Sequence, residues 1–369
     1  MTSITTFDDF APQLRAFIAR AQEQALPPAE MDAEFNRLAA ALFSLQAAAV
    51  PIYREFCAKR KTSAIRDWRE IPALPSSAFK EYEVTSLAPA ERTRVFHSSG
   101  TTRQTPGRHY HNPQSLAVYE DSVLPWFRRH FLPPPPALRP PQLILLTPSA
   151  ADAPHSSLAH MLETVRREFD HSIFTGRLDA QGAWTLDLER TLAALNDAQS
   201  ARRPVALLGA AFSFLHLLEH CRAGQTRYRL PAGSRVMETG GYKGRARAVP
   251  KLELRQMLTR WLGIPESHIL AEYGMSELSS QAYDRILPEA GGVFRFPAWA
   301  RAQIISPETG REAGEGETGM VRVFDLANVR SVLAVQTEDV AVRRGDGFEL
   351  AGRAAHAEAR GCSLQLQEL

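Results

Sequence analysis

The 369-residue chain has 44% hydrophobic and 23% charged residues, the balance of an ordinary globular protein rather than a disordered or fibrous one. Its 43 Lys and Arg against 41 Asp and Glu leave a formal charge of +2, too small to argue for a nucleic-acid or anionic-membrane partner. Three scattered cysteines, Cys57, Cys221 and Cys362, exclude a disulfide scaffold and form no paired zinc motif, so a reducing cytoplasm is the expected compartment.

The opening MTSITTFDDF lacks the basic and then apolar pattern of a secretory signal. No run of about 18 uncharged apolar residues predicts a membrane-spanning helix. At about 150 residues per domain the length predicts two or three structural units. Apolar residues at three- and four-residue steps predict helices over Phe7–Ala25 and Glu34–Lys61, separated by Pro27 and Pro28. Pro72 and Pro75 predict an irregular passage, after which Ser76 and Ser77 are suited to cap a short helix into Lys80.

A strand at Arg94–Phe96 enters the segment HSSGTTRQTPGRHY, and Ser115–Phe131 reads as a helix. From there strands and helices alternate: strand Leu143–Leu146, helix Ser156–Phe169, helix Leu188–Asp197, strand Val205–Gly209, helix Ser213–Cys221, strand Arg235–Glu238, helix Lys251–Leu262 and strand Ile269–Tyr273. The strands are short apolar runs of the kind buried on both faces of a parallel sheet. Beyond Gly291 the helical periodicity ends, and short β-like pieces follow at Arg301–Ile305, Gly319–Phe324, Val332–Gln336 and Val340–Arg343. The expectation is an α/β fold of mostly parallel sheets flanked by helices, with a small β-rich subdomain near its C-terminus. Its parts are a helical segment at 1–75 packed on the core, an α/β core at 76–290, the β-rich subdomain at 291–353, and a tail at 354–369.

Four segments carry candidate chemistry. Ser98, Ser99, Gly100, Thr101 and Thr102 put hydroxyls around a glycine after a strand, a composition suited to anionic oxygens, with Arg103 and Arg108 adding charge; a polar surface turn is the competing reading. It is not the Walker pattern of P-loop proteins. Tyr273, Gly274, Ser276 and Glu277 follow a strand, where open α/β sheets bind ligands, although Ser276 is equally suited to start a helix. Gly240 and Gly241, with Lys243 nearby, permit close backbone approach or simply make a turn. Asp339, with Arg353 further on, suits contact with ribose hydroxyls and phosphate, although a lone Asp is more often a turn residue.

In this order the segments resemble the adenylate-forming (ANL) superfamily, and most closely the LuxE-type acyl-protein synthetases with their phenylacetate-CoA-ligase-like relatives. The phrases SSAFKEYEVTSL, VFHSSGTT, APHSSLAHM, METGGYKGR, EYGMSELSSQAY and RGCSL carry the resemblance. It implies activation of a carboxylic acid, fatty or aryl, by ATP and Mg²⁺ as an acyl-AMP, followed by transfer to an acceptor protein or carrier. It assigns Ser98 to Thr102 and Arg108 to the triphosphate, and Gly240, Gly241, Tyr273 and Gly274 to the adenine side. Ser276 and Glu277 go to phosphate and metal, Asp339 to ribose, Arg353 to a hinge, and His155 to the acyl pocket.

The loop departs from the family pattern, because Arg103 stands where a Gly is usual and Arg108 near the place of a Lys. Cys362 matches the thiol that takes up the acyl group, and a short tether gives such a thiol a high effective concentration at a fixed site. Most relatives continue past the Gly-Arg hinge into a domain with a catalytic Lys; here Lys243 or Lys80 is the candidate for that charge. Two alternatives stay open: an adenylating ligase that passes the acyl group to CoA, a carrier protein or a small amine, and a degenerate nucleotide-binding protein.

Overall fold

The computed structural model describes residues 3–23, 26–62, 65–98, 105–132, 141–240 and 249–353. Helix α1 (Phe7–Gln22) starts at a reciprocal cap: the Asp9 N–H donates to the Thr6 hydroxyl at 3.1 Å, and the Asp9 carboxylate accepts from the Thr6 N–H at 3.0 Å. It buries Phe10, Leu14, Phe17 and Ile18, one face at helical spacing. The helix expected over Glu34–Lys61 is two helices, α2 (Pro28–Ala49) and α3 (Pro51–Lys59). Val50 between them is extended at φ −95° and ψ 107°. A residue before proline is pushed out of the helical region, and Pro51 then serves as a first helical residue, so one proline both ends and restarts the helix.

In chain order there follow β1 (Leu74–Pro75), α4 (Ala78–Glu81), β2 (Arg94–His97), β3 (Arg108–His111), α5 (Pro113–Phe131), β4 (Gln142–Leu145), α6 (Ser157–Arg166) and β5 (Ser172–Phe174). Next come β6 (Gly176–Leu178), β7 (Trp184–Leu186), α7 (Leu188–Ser200), β8 (Val205–Ala210), α8 (Ala211–Ala223), β9 (Arg235–Thr239), α9 (Lys251–Leu262), β10 (Ile269–Tyr273) and β11 (Ala282–Tyr283). Four further strands follow: β12 (Ala300–Ile305), β13 (Thr318–Asp325), β14 (Ala334–Arg344) and β15 (Gly347–Arg353). Among the described residues no single helix is long and apolar enough to cross a membrane.

The described residues gather into two compact units, one within 1–126, 275–282 and 293–369, the other within 127–274 and 283–292. The second holds a six-stranded sheet in the order β11-β10-β9-β8-β4-β5, with β10, β9, β8, β4 and β5 paired in parallel. All six residues of β8 are buried, as expected for a central strand covered on both faces. Its core includes Leu207, Phe214, Leu218, Val236, Leu258, Trp261 and Ile269. Fully burying one such side chain contributes about 1.5–3 kcal/mol.

The first unit holds α1 to α4, the β2–β3 hairpin and a sheet in which β12, β13, β14 and β15 are antiparallel neighbours, with β1 joining β14 in parallel. The expected fold class, mostly parallel sheets flanked by helices with a β-rich C-terminal part, is the observed one. The two β pieces expected around Gln336 to Val340 are one continuous strand, β14, with a register shift between Val340 and Ala341.

Candidate functional site

Strand β14 changes neighbours midway along one edge. With β13 on its other side, it pairs first with β1 (Leu74 opposite Val335, Pro75 opposite Gln336) and then with β15 (Asp339 opposite Arg353). Strand β1 is parallel to β14 and β15 antiparallel, so both end toward the same opening, and Asp339 stands at it. The Asp339 Oδ1 accepts from the Arg353 Nε at 3.2 Å. Asp339 is thus a buried strand residue at an opening, not the turn residue of the competing reading.

The chain leaving β1 is tied down at once, the Ser76 N–H donating to the Gln336 carbonyl at 2.9 Å. The expected short helix, α4, follows, although Ser77 makes no side-chain cap bond. Phe79 is fully buried, edge-on to the His109 ring at 5.8 Å between centroids. Lys80 comes next, half-buried.

Strands β2 and β3 form the hairpin that frames the hydroxyl-rich loop. Its base is closed twice, by the Ser98 N–H donating to the Gly107 carbonyl at 3.0 Å and the Gly107 N–H donating to the Ser98 hydroxyl at 2.8 Å. A Cβ placed on Gly107 would fall 2.9 Å from Glu277 Oε1, 3.0 Å from Ser98 Oγ and 3.5 Å from Phe79 Cβ. The Glu277 carboxylate therefore lies directly against the hairpin base, where only a glycine fits. Arg108 stands opposite His97 in the hairpin, and its buried Nε has no hydrogen-bond acceptor among the described residues. A bound anion would satisfy that donor.

Glu277 is only 5% exposed. Burial pushes its carboxyl up to about 7, against the pull of Lys80 and Arg353 and with a further push from Asp339. Side chains from three separate stretches therefore act on one carboxylate. The backbone that carries it is a turn, not a helix start: the Ser276 hydroxyl donates to the His97 carbonyl at 2.9 Å instead of capping. The Ser276 carbonyl meets His109 Nδ1 at 2.9 Å, and Ser331 Oγ lies 3.0 Å from His109 Nε2. A carbonyl only accepts, so Nδ1 carries the hydrogen and Nε2 accepts from Ser331. Burial holds the His109 pKa down at about 4, with the bond to Ser276 acting in the other direction.

Behind the turn sits a fully buried anchor, Asp325. It accepts from the Ser279 and Ser280 N–H groups at 2.8 Å each and from the Ser280 hydroxyl at 2.7 Å. Asn328 donates to the Glu277 carbonyl at 2.9 Å and accepts from the Ser279 hydroxyl at 2.8 Å. Hydrogen bonds to a charged group contribute roughly 1.5–3 kcal/mol each, so this turn is held rigidly.

In the second unit the relevant tips are those of β9 and β10. Gly240 follows β9 at φ +64°, a conformation that favours glycine. Tyr273 ends β10, 7% exposed, and Gly274 after it is exposed. Beneath them the Thr239 hydroxyl donates to the buried Glu272 carboxyl. Burial pushes Glu272 up to about 7, with the neighbouring Glu238 adding to the effect against the Thr239 bond. Asp284 ties α9 to this strand, accepting from Arg255 at 2.5 Å, Lys251 at 3.1 Å and the Ala271 N–H at 2.8 Å. His155 is exposed in the turn before α6, where the Ser156 hydroxyl caps the helix by accepting from the Ala159 N–H at 3.1 Å.

Ser99, Gly100, Thr101, Thr102, Gly241, Lys243 and Cys362 lie outside the described residues. Of the remaining candidates, Ser98, Arg108, Ser276, Glu277, Asp339 and Arg353 are brought together in the first unit. Sequence reasoning missed Gly107, His109, Asp325 and Asn328. The alternation of Arg108, His109, Tyr110 and His111 is the period-2 signal from which an inward His109 was readable; nothing comparable marks Asp325.

The architecture is that of adenylate-forming ligases. The chain superposes on a 2-hydroxyisobutyryl-CoA ligase in complex with 2-HIB-AMP with a TM-score of 0.68 and 12% identity, over 91% of this chain and 70% of that one. On ATP-bound MatB from Rhodopseudomonas palustris the TM-score is 0.51 and the identity 14%, over 73% of this chain and 49% of that one, so the chain spans about half that protein's length. The chain belongs to the acyl-protein synthetase family, LuxE, which it matches over residues 18–369. The long-chain-fatty-acid–luciferin-component ligase of Vibrio harveyi is 23% identical over 336 residues, 86% of this chain and 82% of that protein.

Proposed function

We propose that the chain uses ATP to convert a carboxylic acid, fatty or aryl, into an acyl-AMP and then passes the acyl group to a protein thiol by way of Cys362. In the first step a carboxylate oxygen bonds to the α-phosphorus, and the bond from phosphorus to the leaving pyrophosphate breaks with its electron pair. In the second, the Cys362 sulfur bonds to the acyl carbon and AMP leaves, giving a thioester that an acceptor protein or carrier then takes up. Family membership supports both steps. The observation that carries the first is the buried Glu277 carboxylate against the base of the β2–β3 hairpin, in the shared field of Lys80, Arg353 and Asp339.

Each group has a chemical task on this reading. The hairpin loop, with Ser98 at its base and Arg108 beside it, attends the triphosphate, and Ser276 holds the hairpin to the Glu277 turn. Asp339 has two acceptor oxygens suited to paired ribose hydroxyls. Gly240, Tyr273 and Gly274 are the adenine-side residues, and His155 is the acyl-pocket candidate. Glu277 fits a Mg²⁺ that arrives with the nucleotide, because this ion commonly takes one or two carboxylates together with phosphate oxygens and water. When bound, the ion neutralises phosphate charge.

Isotope exchange between pyrophosphate and ATP, measured with a panel of fatty and aryl acids, tests the first step. Acid-dependent exchange is expected, and exchange with none of the acids would refute it. Intact mass after incubation with ATP and the active acid tests the second: the wild-type chain gains the acyl mass and Cys362→Ser does not. A Cys362→Ser chain that still delivers the acyl group to CoA, a carrier or an amine would replace the thiol route with direct transfer.

A further inference from the structure

Strands β8, β9 and β10 run in parallel, so one edge of the second unit's sheet carries their tips and the other their beginnings. Helices α7, α8 and α9, each leading into one of these strands, end at the second edge. Six arginines gather there: Arg202 and Arg203 after α7, Arg222 and Arg260 in the last turns of α8 and α9, and Arg227 and Arg229 in the strap from α8 to β9. Five are exposed and Arg203 is half-buried, and none makes an ion pair among the described residues. Glu266, the acid in the turn before β10, sits 3.8 Å from Arg255 instead.

The cluster is held in place by its backbone. The Tyr228 N–H donates to the Trp261 carbonyl at 2.8 Å, the Leu230 N–H to the Leu262 carbonyl at 3.2 Å, and the Arg229 N–H to the Gln199 Oε1 at 2.8 Å. The strap therefore lies between the ends of α9 and α7. Along it Tyr228 and Leu230 are buried while Arg227 and Arg229 are exposed, an alternation with a period of two. The Cζ atoms of Arg227 and Arg260 lie 5.3 Å and 5.4 Å from the centre of one ring, that of Trp261. Arg202 follows α7 at φ +49°, in the left-handed region that favours glycine. Cations in a last helical turn complement the helix dipole, which accounts for Arg222 and Arg260 alone. In a chain of formal charge +2 the other four have no such internal task.

We infer that this edge docks a protein partner through carboxylate side chains on the partner's surface. An arginine fork meets a carboxylate with two parallel N–H···O bonds, and side chains already laid on a ring lose little freedom in docking. Nucleic acid fits less well. The last carbonyls of three helices share this edge, and a continuous row of phosphates would meet them as well as the cations. A lipid surface draws on protruding apolar groups, and the apolar residues of the strap, Tyr228 and Leu230, are buried. A partner held here leaves the strand tips with Gly240 and Tyr273 uncovered, because the five residues of β9, at about 3.3 Å each, set the two edges roughly 13 Å apart. Docking at this edge does not depend on which reaction the chain performs.

The full chain is titrated with fluorescent poly-L-glutamate, with duplex DNA and with vesicles of phosphatidylserine and phosphatidylcholine, at about 0.05 M and about 0.2 M salt. Two charge-matched triple variants are compared with wild type. One carries Arg227→Glu, Arg229→Glu and Arg260→Glu on this edge; the other carries Arg54→Glu, Lys59→Glu and Lys61→Glu, exposed in and just after α3 of the first unit. Wild type is expected to bind polyglutamate in preference to the other probes, and more weakly at the higher salt. The edge variant should lose at least about ten-fold in affinity and the α3 variant less than about three-fold. Urea unfolding checks that both variants fold. Should the edge variant not fold, Arg227→Gln with Arg229→Gln replaces it, with a loss of at least about three-fold expected. Four results overturn the inference: no polyglutamate binding by wild type at the lower salt; a loss below about three-fold in the edge variant; equal losses in both triple variants, which marks net charge and not a surface; or tighter binding of DNA or vesicles, which gives the edge to another class of partner.

Discussion

His109 offers the sharpest quantitative test of how the site is built. Its ring is buried and bridges the Ser276 carbonyl and the Ser331 hydroxyl, and burial lowers its pKa from 6.5 to about 4. A difference of that size corresponds to roughly 3 kcal/mol, at 1.36 kcal/mol per unit. The unfolded chain binds a proton below pH 6.5 that the folded chain refuses until about pH 4. The stabilising contribution is therefore complete above pH 6.5, shrinks as the pH falls through this window and is gone below about 4. Between pH 7 and pH 5, linkage gives a loss of about 2 kcal/mol. Gln does not titrate and still offers an N–H to the Ser276 carbonyl, so His109→Gln removes the effect with the least disturbance. Urea unfolding of wild type and variant, compared at pH 7, 6 and 5, should show the stability gap moving by about 2 kcal/mol in the variant's favour toward low pH. Comparison at each pH is essential because Glu272, pushed up to about 7, pulls in the opposite direction. A gap constant within about 0.5 kcal/mol would mean that the buried, neutral imidazole is not what holds this turn.

Glu272→Gln should show the reverse sign. Its folded pKa is raised from 4.5 to about 7, so the contribution is present below 4.5 and lost as the pH rises through 7. Wild type should lose roughly 2–3 kcal/mol relative to the variant between pH 5 and pH 8, again read by urea unfolding at paired pH values. Gly107→Ala tests the contact at the hairpin base, where the added methyl meets Glu277 Oε1 at 2.9 Å and Ser98 Oγ at 3.0 Å. Displacing the carboxylate by about 1 Å should slow pyrophosphate exchange on the order of 100-fold, while overpacking costs only about 1–3 kcal/mol of stability. Wild-type exchange by Gly107→Ala would dissociate Glu277 from the reacting centre.

The elements most legible in the sequence were those where periodicity and punctuation agree. Helix α9 and strand β10 run over the predicted residues, the helix bounded by Pro250 and by Gly263 in the left-handed conformation. Apolar spacing continues unbroken across Val50 and Pro51, so the division of α2 from α3 rested on one proline that the period alone does not register. Strand β14 was harder for a physical reason. Gln336, Thr337 and Asp339 are polar yet buried, with Gln336 and Thr337 donating to the Val321 carbonyl. Where a strand faces a site rather than solvent or core, alternation fails and the stretch reads as a turn.

The same distinction separates the site residues. Glu277, Asp339 and Arg353 were legible because each lies in a short, recognisable segment whose order resembles a family. Gly107 and His109 were not legible in their roles, because each role consists of a neighbour distant in the chain. Gly107 matters through Glu277, and His109 through Ser276. A parallel strand and an antiparallel one cannot continue each other along a shared edge without leaving an opening between their ends. The chain leaving β1 has to turn away at that opening, and whatever side chains the turn bears are delivered to it. Strand order thus supplies a reason for Asp339 to stand buried at an opening, bonded to Arg353, that no local pattern around Gln336 to Asp339 contains.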